Sequence, residues 1–321
     1  MWPKRTRTSP ISCATISSTP TGCCAQNTVR YRRWLELVER GDLLGTGASE
    51  LGVHGIGGPS FNTTLTPEGD GFVLNGEKYY STGNLYTDHI LVSAVTLDGQ
   101  FATALVPVRD PGVVIAEDWD GIGQRQTASG TTVFTNVRIA AQDVVFLEGE
   151  DRRAPVEATF PQLYLSAIIA GILRAVVRDA AELVLGRGRN YYHAVAARPA
   201  EDPLLQEIIG RLASTAYVAE ASVLRAAEAL AEAQASAEAG LFREASLRAA
   251  KAKVVVDGLA LEAATRLFDV GGASAATQRA RLDRHWRNIR TISSHNPVAY
   301  KARALGDLIL NNTPLPSAAF F

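Results

Sequence analysis

The residue best placed to do chemistry is His295, in the run Ser293-Ser294-His295-Asn296-Pro297-Val298 near the C-terminus. One imidazole directly precedes an Asn-Pro pair, and the residues after the pair read as a helix. Asn is a favoured N-cap and Pro a favoured first helical residue, so the pattern predicts a helix capped by Asn296 and opened by Pro297. His295 would then sit at the mouth of that helix, where outward N–H groups and the positive dipole end favour a neutral imidazole and an anionic reaction centre. Upstream, Arg279, Arg281, Arg284, Arg287 and Arg290 form a basic run. Their spacing spreads them around a helix, so at most two can share one site, and most are expected on a solvated, ion-paired face. His54, among Gly52, Gly55, Gly57 and Gly58, marks a glycine-rich loop expected to act either as a lid or as a surface hairpin. His89, His193 and His285 have no metal-ligand spacing, and no P-loop or GxGxxG fingerprint is present.

These residues sit in a chain of 321 residues with 46% hydrophobic and 20% charged content, the composition of a globular protein long enough for two domains. A net charge of −1 gives no reason to expect nucleic acid or an anionic membrane as partner. The apolar run 163–177 contains Arg174 and is read as a buried helix, too short and too charged to span a membrane. All three cysteines, Cys13, Cys23 and Cys24, lie in the first 24 residues, which argues against a disulfide framework and for a reducing, cytoplasmic setting. Residues 1–33 carry six Lys or Arg and no acid. Three readings compete for them: a transit peptide, a disordered tail, or a segment read in a shifted frame.

Three parts follow: an irregular segment 1–42, a β-domain 43–150 and a helical bundle 151–321. In the second, Asp70-Gly71 and Asn75-Gly76 bracket a short strand, and Tyr79, Tyr80 and Ser81 continue extended. Apolar runs at 90–95 and 102–108, joined by an Asp98-Gly99 hairpin, and a β-branched run at 131–139 complete an antiparallel-type β-barrel or sandwich. From residue 154 the period changes to that of helices, expected at 160–185, 204–239, 242–270 and 298–310, with Asp202 and Pro203 opening the second. The fold class is therefore α+β, a β-domain followed by a four-helix bundle.

That order resembles the acyl-CoA dehydrogenase fold, and local detail agrees over residues 43–310. Gly76-Glu77-Lys78-Tyr79-Tyr80-Ser81-Thr82-Gly83 resembles the superfamily's strand whose hydroxyl residue meets the flavin ring. Gly45-Thr46-Gly47-Ala48-Ser49-Glu50 resembles the preceding strand and loop, and Phe268-Asp269-Val270-Gly271-Gly272-Ala273 the Gly-Gly turn between the last bundle helices. Acyl-CoA dehydrogenases are expected to carry a catalytic Glu where this chain has Ser293-Ser294-His295-Asn296-Pro297. Trp286-Arg287-Asn288-Ile289-Arg290-Thr291 followed by His295-Asn296-Pro297 is instead similar to the dibenzothiophene monooxygenase branch of group D flavin monooxygenases, which usually has Asp at the position of Asn296.

The resemblance implies a two-component monooxygenase. Reduced FMN, supplied by a separate flavin reductase, would react with O2 to oxygenate a small, soft nucleophile such as an organosulfur compound; FAD is the less expected flavin. It gives His295 a catalytic role, by hydrogen-bonding the reacting oxygen or as general acid–base. Ser81 and Thr82 would offer hydroxyls to the ring edge and Ser49 to the pyrimidine side. Arg279, with Arg198 as the weaker candidate, would meet the phosphate. In this superfamily such an arginine often reaches a neighbouring subunit's flavin, so a homo-oligomer, dimer or tetramer, is expected. The alternatives are a true acyl-CoA dehydrogenase or related flavin oxidase, and a non-catalytic bundle scaffold. Members of the family have an N-terminal helical domain ahead of the β-domain, of which residues 1–42 would be a remnant, leaving one pocket wall absent or disordered.

Overall fold

The computed structural model describes residues 31–52, 61–146, 155–236 and 238–316. The chain divides into two compact units, one of Met1–Gly121 with Arg125–Pro161, the other of Ile122–Gln124 with Gln162–Ser317. The expectations for His54 and for residues 1–30 lie outside the described residues.

In the first unit a short helix α1 (Arg32–Glu39) precedes eight strands: β1 (Leu44–Gly47), β2 (Thr64–Glu68), β3 (Gly71–Lys78), β4 (His89–Thr96), β5 (Phe101–Pro107), β6 (Val113–Ile115), β7 (Thr132–Ala140) and β8 (Val144–Phe146). They form one sheet in the order β6-β7-β3-β2-β4-β5-β8, with β1 added beside β4. The path ends at β6 and β8, so the sheet does not close into a barrel. It is also mixed, because β1 and β2 each pair β4 in parallel through long intervening connections.

Period-two alternation distributes side chains to the two faces. Ile90, Val92 and Ala94 of β4 join Leu74, Phe134 and Val137 in one core cluster, while Leu91, Leu105 and Val145 point to the other face. There Trp34 and Leu37 of α1 cover them. Residues 32–39 are thus a packed helix within the segment 1–42 that was read as irregular. Two further expectations change. Asn75-Gly76 is not a turn ending the strand: β3 runs on to Lys78 through a bulge between Leu74 and Gly76. Tyr80 is not extended. Its φ of 56° turns the chain out of the strand. The Asp98-Gly99 hairpin is as read, with Gly99 at φ 83° between antiparallel β4 and β5.

The second unit is helical: α2 (Pro155–Leu185, from Gln162 onward), α3 (Pro203–Ser236), α4 (Ala239–Arg266), α5 (Asp283–Ser293) and α6 (Val298–Asn311). Asp202 caps α3 through Leu204 N–H at 3.0 Å, with Pro203 as first residue. The alanine-rich faces of α3 and α4 (Ala219, Ala226 and Ala233; Ala245, Ala252 and Ala260) are buried, which lets the two backbones run close. Helix α4 packs along α3 and also carries α5 and α6. By length and composition alone, Thr159–Leu185 could cross a membrane. Ile169, Leu173, Val176 and Ala180 form a fully buried stripe along it, the pattern of an interior helix.

Gly76 is the bulge position most intolerant of a side chain. Its φ is 153°, and an added Cβ would meet Thr63 Oγ1 at 2.4 Å and Thr63 Cα at 2.6 Å. Gly76→Ala is expected to lower stability by about 2–4 kcal/mol. Gly258→Ala in α4, where nothing lies within 4 Å, is expected to be neutral or to stabilise by about 0.5–1 kcal/mol. Urea unfolding of the two variants checks the contrast.

Candidate functional site

The sheet unit gathers three of the residues read from sequence. The loop after β1 turns back so that Ser49 C=O accepts from Tyr79 N–H at 2.9 Å, which sets Ser49 beside the segment carrying Ser81 and Thr82. What fixes this loop is its neighbour. Lys78 Nζ donates to Glu50 Oε1 at 2.6 Å, with side chains 0% and 3% exposed. Glu50 also accepts from Asn62 N–H at 2.6 Å and from the Thr63 hydroxyl at 2.7 Å, and the ammonium lies 4.2 Å from the Phe61 ring centroid. Burial pushes Lys78 down to about 8 against the opposing pull of Glu50. Burial pushes the Glu50 carboxyl up, but the hydrogen bonds from Lys78, Asn62 and Thr63 outweigh it and leave the group below its ordinary value.

Beyond the left-handed Tyr80, Ser81 N–H donates to Gly130 C=O at 3.2 Å and Gly83 N–H to Thr127 C=O at 2.8 Å. Hydroxyls continue this stitching: Thr82 Oγ1 lies 2.8 Å from Ser129 Oγ, which lies 2.6 Å from Thr127 Oγ1. Ser81 is different. It is 1% exposed, and its Oγ has no hydrogen-bond partner among the described residues; the same holds for Oδ1 of the fully buried Asn84. Unmet buried polar atoms are costly unless a bound molecule completes them. Thr127, Ser129 and Asn84 were not singled out from sequence, because isolated hydroxyls and amides in a loop carry no periodic signal.

In the helical unit, His295 lies on the four-residue link between α5 and α6. The predicted cap is displaced by one residue: Pro297, not Asn296, occupies the N-cap position of α6, and Val298 opens the helix. Asn296 is instead buried, and its Nδ2 donates to Gln162 Oε1 of α2 at 2.8 Å. A buried carboxamide that finds a partner across the bundle gains more than one that caps a surface helix end. His295 N–H donates to Ile292 C=O at 3.1 Å, so the residue also closes the end of α5. Its side chain is solvent-accessible, yet surrounding protein lowers its pKa, and the charges of Lys253 and Lys301 act in the same direction against a hydrogen bond with Asn296.

Beneath this link lies a cluster the sequence reading missed. Lys253 Nζ donates to Asp257 Oδ2 at 2.7 Å and approaches Ser293 C=O, at the end of α5, at 3.5 Å. Lys301, in the first turn of α6, is 2% exposed. Burial and the positive charge of Lys253 bring it down to about 8, with Asp257 opposing. Burial raises the Asp257 carboxyl. The legible signal was Lys253 and Asp257 four apart within an apolar stretch containing Val254, Val255 and Val256.

Two arginines of the basic run, Arg284 and Arg287, tie separate segments together, while Arg279 and Arg281 are exposed and Arg290 bonds to Ser294 one turn on. Arg287 donates to Ile122 C=O at 2.8 Å and pairs with Asp283 at 2.8 Å, while Gln124 N–H donates to Asn288 Oδ1 at 2.8 Å. Arg284 pairs with Asp179, whose Oδ2 is also 2.8 Å from His285 Nε2, joining α2 to α5. Of the two phosphate candidates, Arg279 is exposed after the Gly271-Gly272 turn, and Arg198 is 74% exposed and pairs with Glu201 at 3.1 Å. Ser49, Ser81 and Thr82 therefore share one corner of the sheet unit, whereas His295, Arg198 and Arg279 occupy three separate segments of the helical unit.

Comparison with known proteins bears on what such a site does. Residues 45–137 match the acyl-CoA dehydrogenase middle domain and residues 163–300 the acyl-CoA dehydrogenase C-terminal domain. The chain is 30% identical over 298 residues to dibenzothiophene monooxygenase of Mycolicibacterium goodii, covering 88% of this chain and 71% of that protein. It is 32% identical over 272 residues to the probable FMNH2-dependent monooxygenase SfnC of Pseudomonas putida, covering 81% and 68%. The structure of TdsC from Paenibacillus sp. A11-2 with FMN and indole superposes with a TM-score of 0.86 at 28% identity, covering 97% of this chain and 83% of that one.

The position of Lys301 carries a stability consequence. Its pKa is lower folded than unfolded, so the unfolded chain holds more protons and stability rises with pH between about 8 and the ordinary value of 10.5. Lys301→Met is expected to shrink that rise and to stabilise the fold at pH 7 by roughly 1–3 kcal/mol. Thermal melts of both proteins across pH 7 to pH 10.5 measure it.

Proposed function

The chain belongs to the dibenzothiophene monooxygenase family of acyl-CoA dehydrogenase-fold flavoenzymes, and from that membership we propose that it is the oxygenase component of a two-component system. It takes reduced FMN from a separate flavin reductase and uses O2 to place one oxygen atom on a small organosulfur substrate. The observation that carries this reading is the link between α5 and α6. Residues 287–297 contain no Asp or Glu, and His295 is the acid–base group we assign there. An acyl-CoA dehydrogenase reading needs a carboxylate base at that link.

The residues of the sheet unit fit a flavin. The buried Ser81 hydroxyl, unmet by protein, is what a ring-edge contact requires, and Ser49 and Thr82 lie on the segments stitched to it. Arg279, and more weakly Arg198, would hold the phosphate. When bound, reduced flavin supplies the electrons that activate O2. The work of the chain is then to orient, to exclude water and to manage one proton. With its pKa lowered by its surroundings, His295 favours the neutral form. A neutral imidazole can accept a proton from the reacting oxygen or hold it by a hydrogen bond and return it as oxygen is transferred. We assign residues 43–150 to the flavin-holding domain and residues 151–321 to the bundle. A homo-oligomer, dimer or tetramer, in the cytoplasm completes the proposal.

The assay supplies FMN, a flavin reductase, NADH, O2 and a panel of organosulfur compounds. The expected result is a sulfoxide carrying one atom from labelled O2; reduction dependent on acyl-CoA, or no flavin uptake, would overturn the proposal. His295→Gln is expected to lower kcat by on the order of 10²–10⁴-fold while FMN binding is retained.

A further inference from the structure

The cluster of Lys253, Asp257 and Lys301 is placed against the local rules of folding. Lys301 stands in the first turn of α6, where the helix dipole disfavours a cation, and is 2% exposed. Lys253 and Asp257 of α4 are 2% and 4% exposed, and both act electrostatically on Lys301. Asp257 Oδ2 accepts from Lys253 at 2.7 Å, while Oδ1 has no hydrogen-bond partner among the described residues. Burying two ammonium groups around one carboxylate costs more than apolar packing would, and such violations concentrate where function requires them. Here they touch one place. Lys253 approaches the Ser293 carbonyl at 3.5 Å, two residues before His295, and Lys301 lies six residues after it on the helix that the link begins.

We propose that Lys253, Asp257 and Lys301 are positioning residues for His295, forming a buried bed of net positive charge that supports its turn and makes the imidazole enter the reaction as a neutral base. The proposal rests on the reading of His295 as the acid–base group of the oxygenase. Among the described residues, Lys253 and Lys301 push the His295 pKa down and Asn296 pulls it up, while Arg290 of α5 acts with the two lysines on Asp257. Removal of either ammonium therefore eases protonation of the ring, and removal of the carboxylate opposes it. Lys253 also covers the carbonyl end of α5, so its loss would disturb the turn as well as the charge.

The test is a histidine titration of the FMN-supplemented full chain by NMR, with the His295 signal assigned from its absence in His295→Gln. In Lys301→Met the His295 midpoint is expected to shift upward, in Asp257→Asn downward, and in Lys251→Met, an exposed lysine on α4, not to move. The acidic limb of the kcat profile should shift with the midpoint. An unmoved midpoint in folded Lys301→Met, or a downward shift, overturns the proposal. Lys301→Gln carries the same expected sign if the Met variant does not fold. Should the midpoint move as expected while His295→Gln retains full oxygenation, the charged bed stands and the catalytic reading of His295 fails.

Discussion

The ion pair between Lys78 and Glu50 is the interaction on which the sheet unit's candidate site depends. Neither charge is viable alone at 0% and 3% side-chain exposure, and each is viable because the other is there. Glu50 spends its oxygens on Lys78, Asn62 and Thr63, so one carboxylate ties the end of β3, the loop after β1 and the approach to β2. Ser49 follows Glu50 into position, Tyr79 follows Lys78, and the backbone bond between those two sets where the chain turns at Tyr80. The buried hydroxyl of Ser81 is the end of that sequence of constraints.

The helical unit uses the same device at two further places. Asp179, His285 and Arg284 join α2 to α5. Lys253 and Asp257, with Lys301 nearby, lie beneath the link that carries His295. In each case a charge that would be hydrated in the unfolded chain is held inside a bundle whose buried core is alanine, valine, leucine and isoleucine. Alanine packing brings helices close but leaves their rotation weakly determined. Buried polar contacts such as Gln162–Asn296 can fix that choice at some cost in stability.

The parts of this arrangement that were legible in the sequence are those with a period or a named turn. The strands of the sheet, the Asp98-Gly99 hairpin, the Asp202-Pro203 helix start and the long helices follow from period two, period 3.6 and capping chemistry. The failures share a cause, since each local signal was overruled by a contact distant in sequence. Asn296 has the chemistry of a cap but is drawn to Gln162, 134 residues away. Asn75-Gly76 has the chemistry of a turn but becomes a bulge against Thr63 and Asn136. Arg287 makes the expected ion pair on its own helix but also holds Ile122, 165 residues away. Of the candidate site, His295, Ser49, Ser81 and Thr82 were reachable through motif resemblance. The lysines and aspartate beneath the His295 link were marked in sequence only by the four-residue spacing of Lys253 and Asp257 beside three valines, and nothing local marked Lys301, whose burial is a property of the packed bundle.

Paired burial of charge, rather than the loop's own conformational preference, holds in place the sheet-unit hydroxyls proposed to meet the flavin. Equilibrium FMN titration of Lys78→Met against the unaltered chain tests it most directly, at a temperature where circular dichroism shows both folded. Met keeps an unbranched apolar stem and removes the cation that lies over Phe61. FMN affinity is expected to weaken by about tenfold or more, equivalent to about 1.4 kcal/mol. Unchanged affinity in a folded Lys78→Met variant would contradict it.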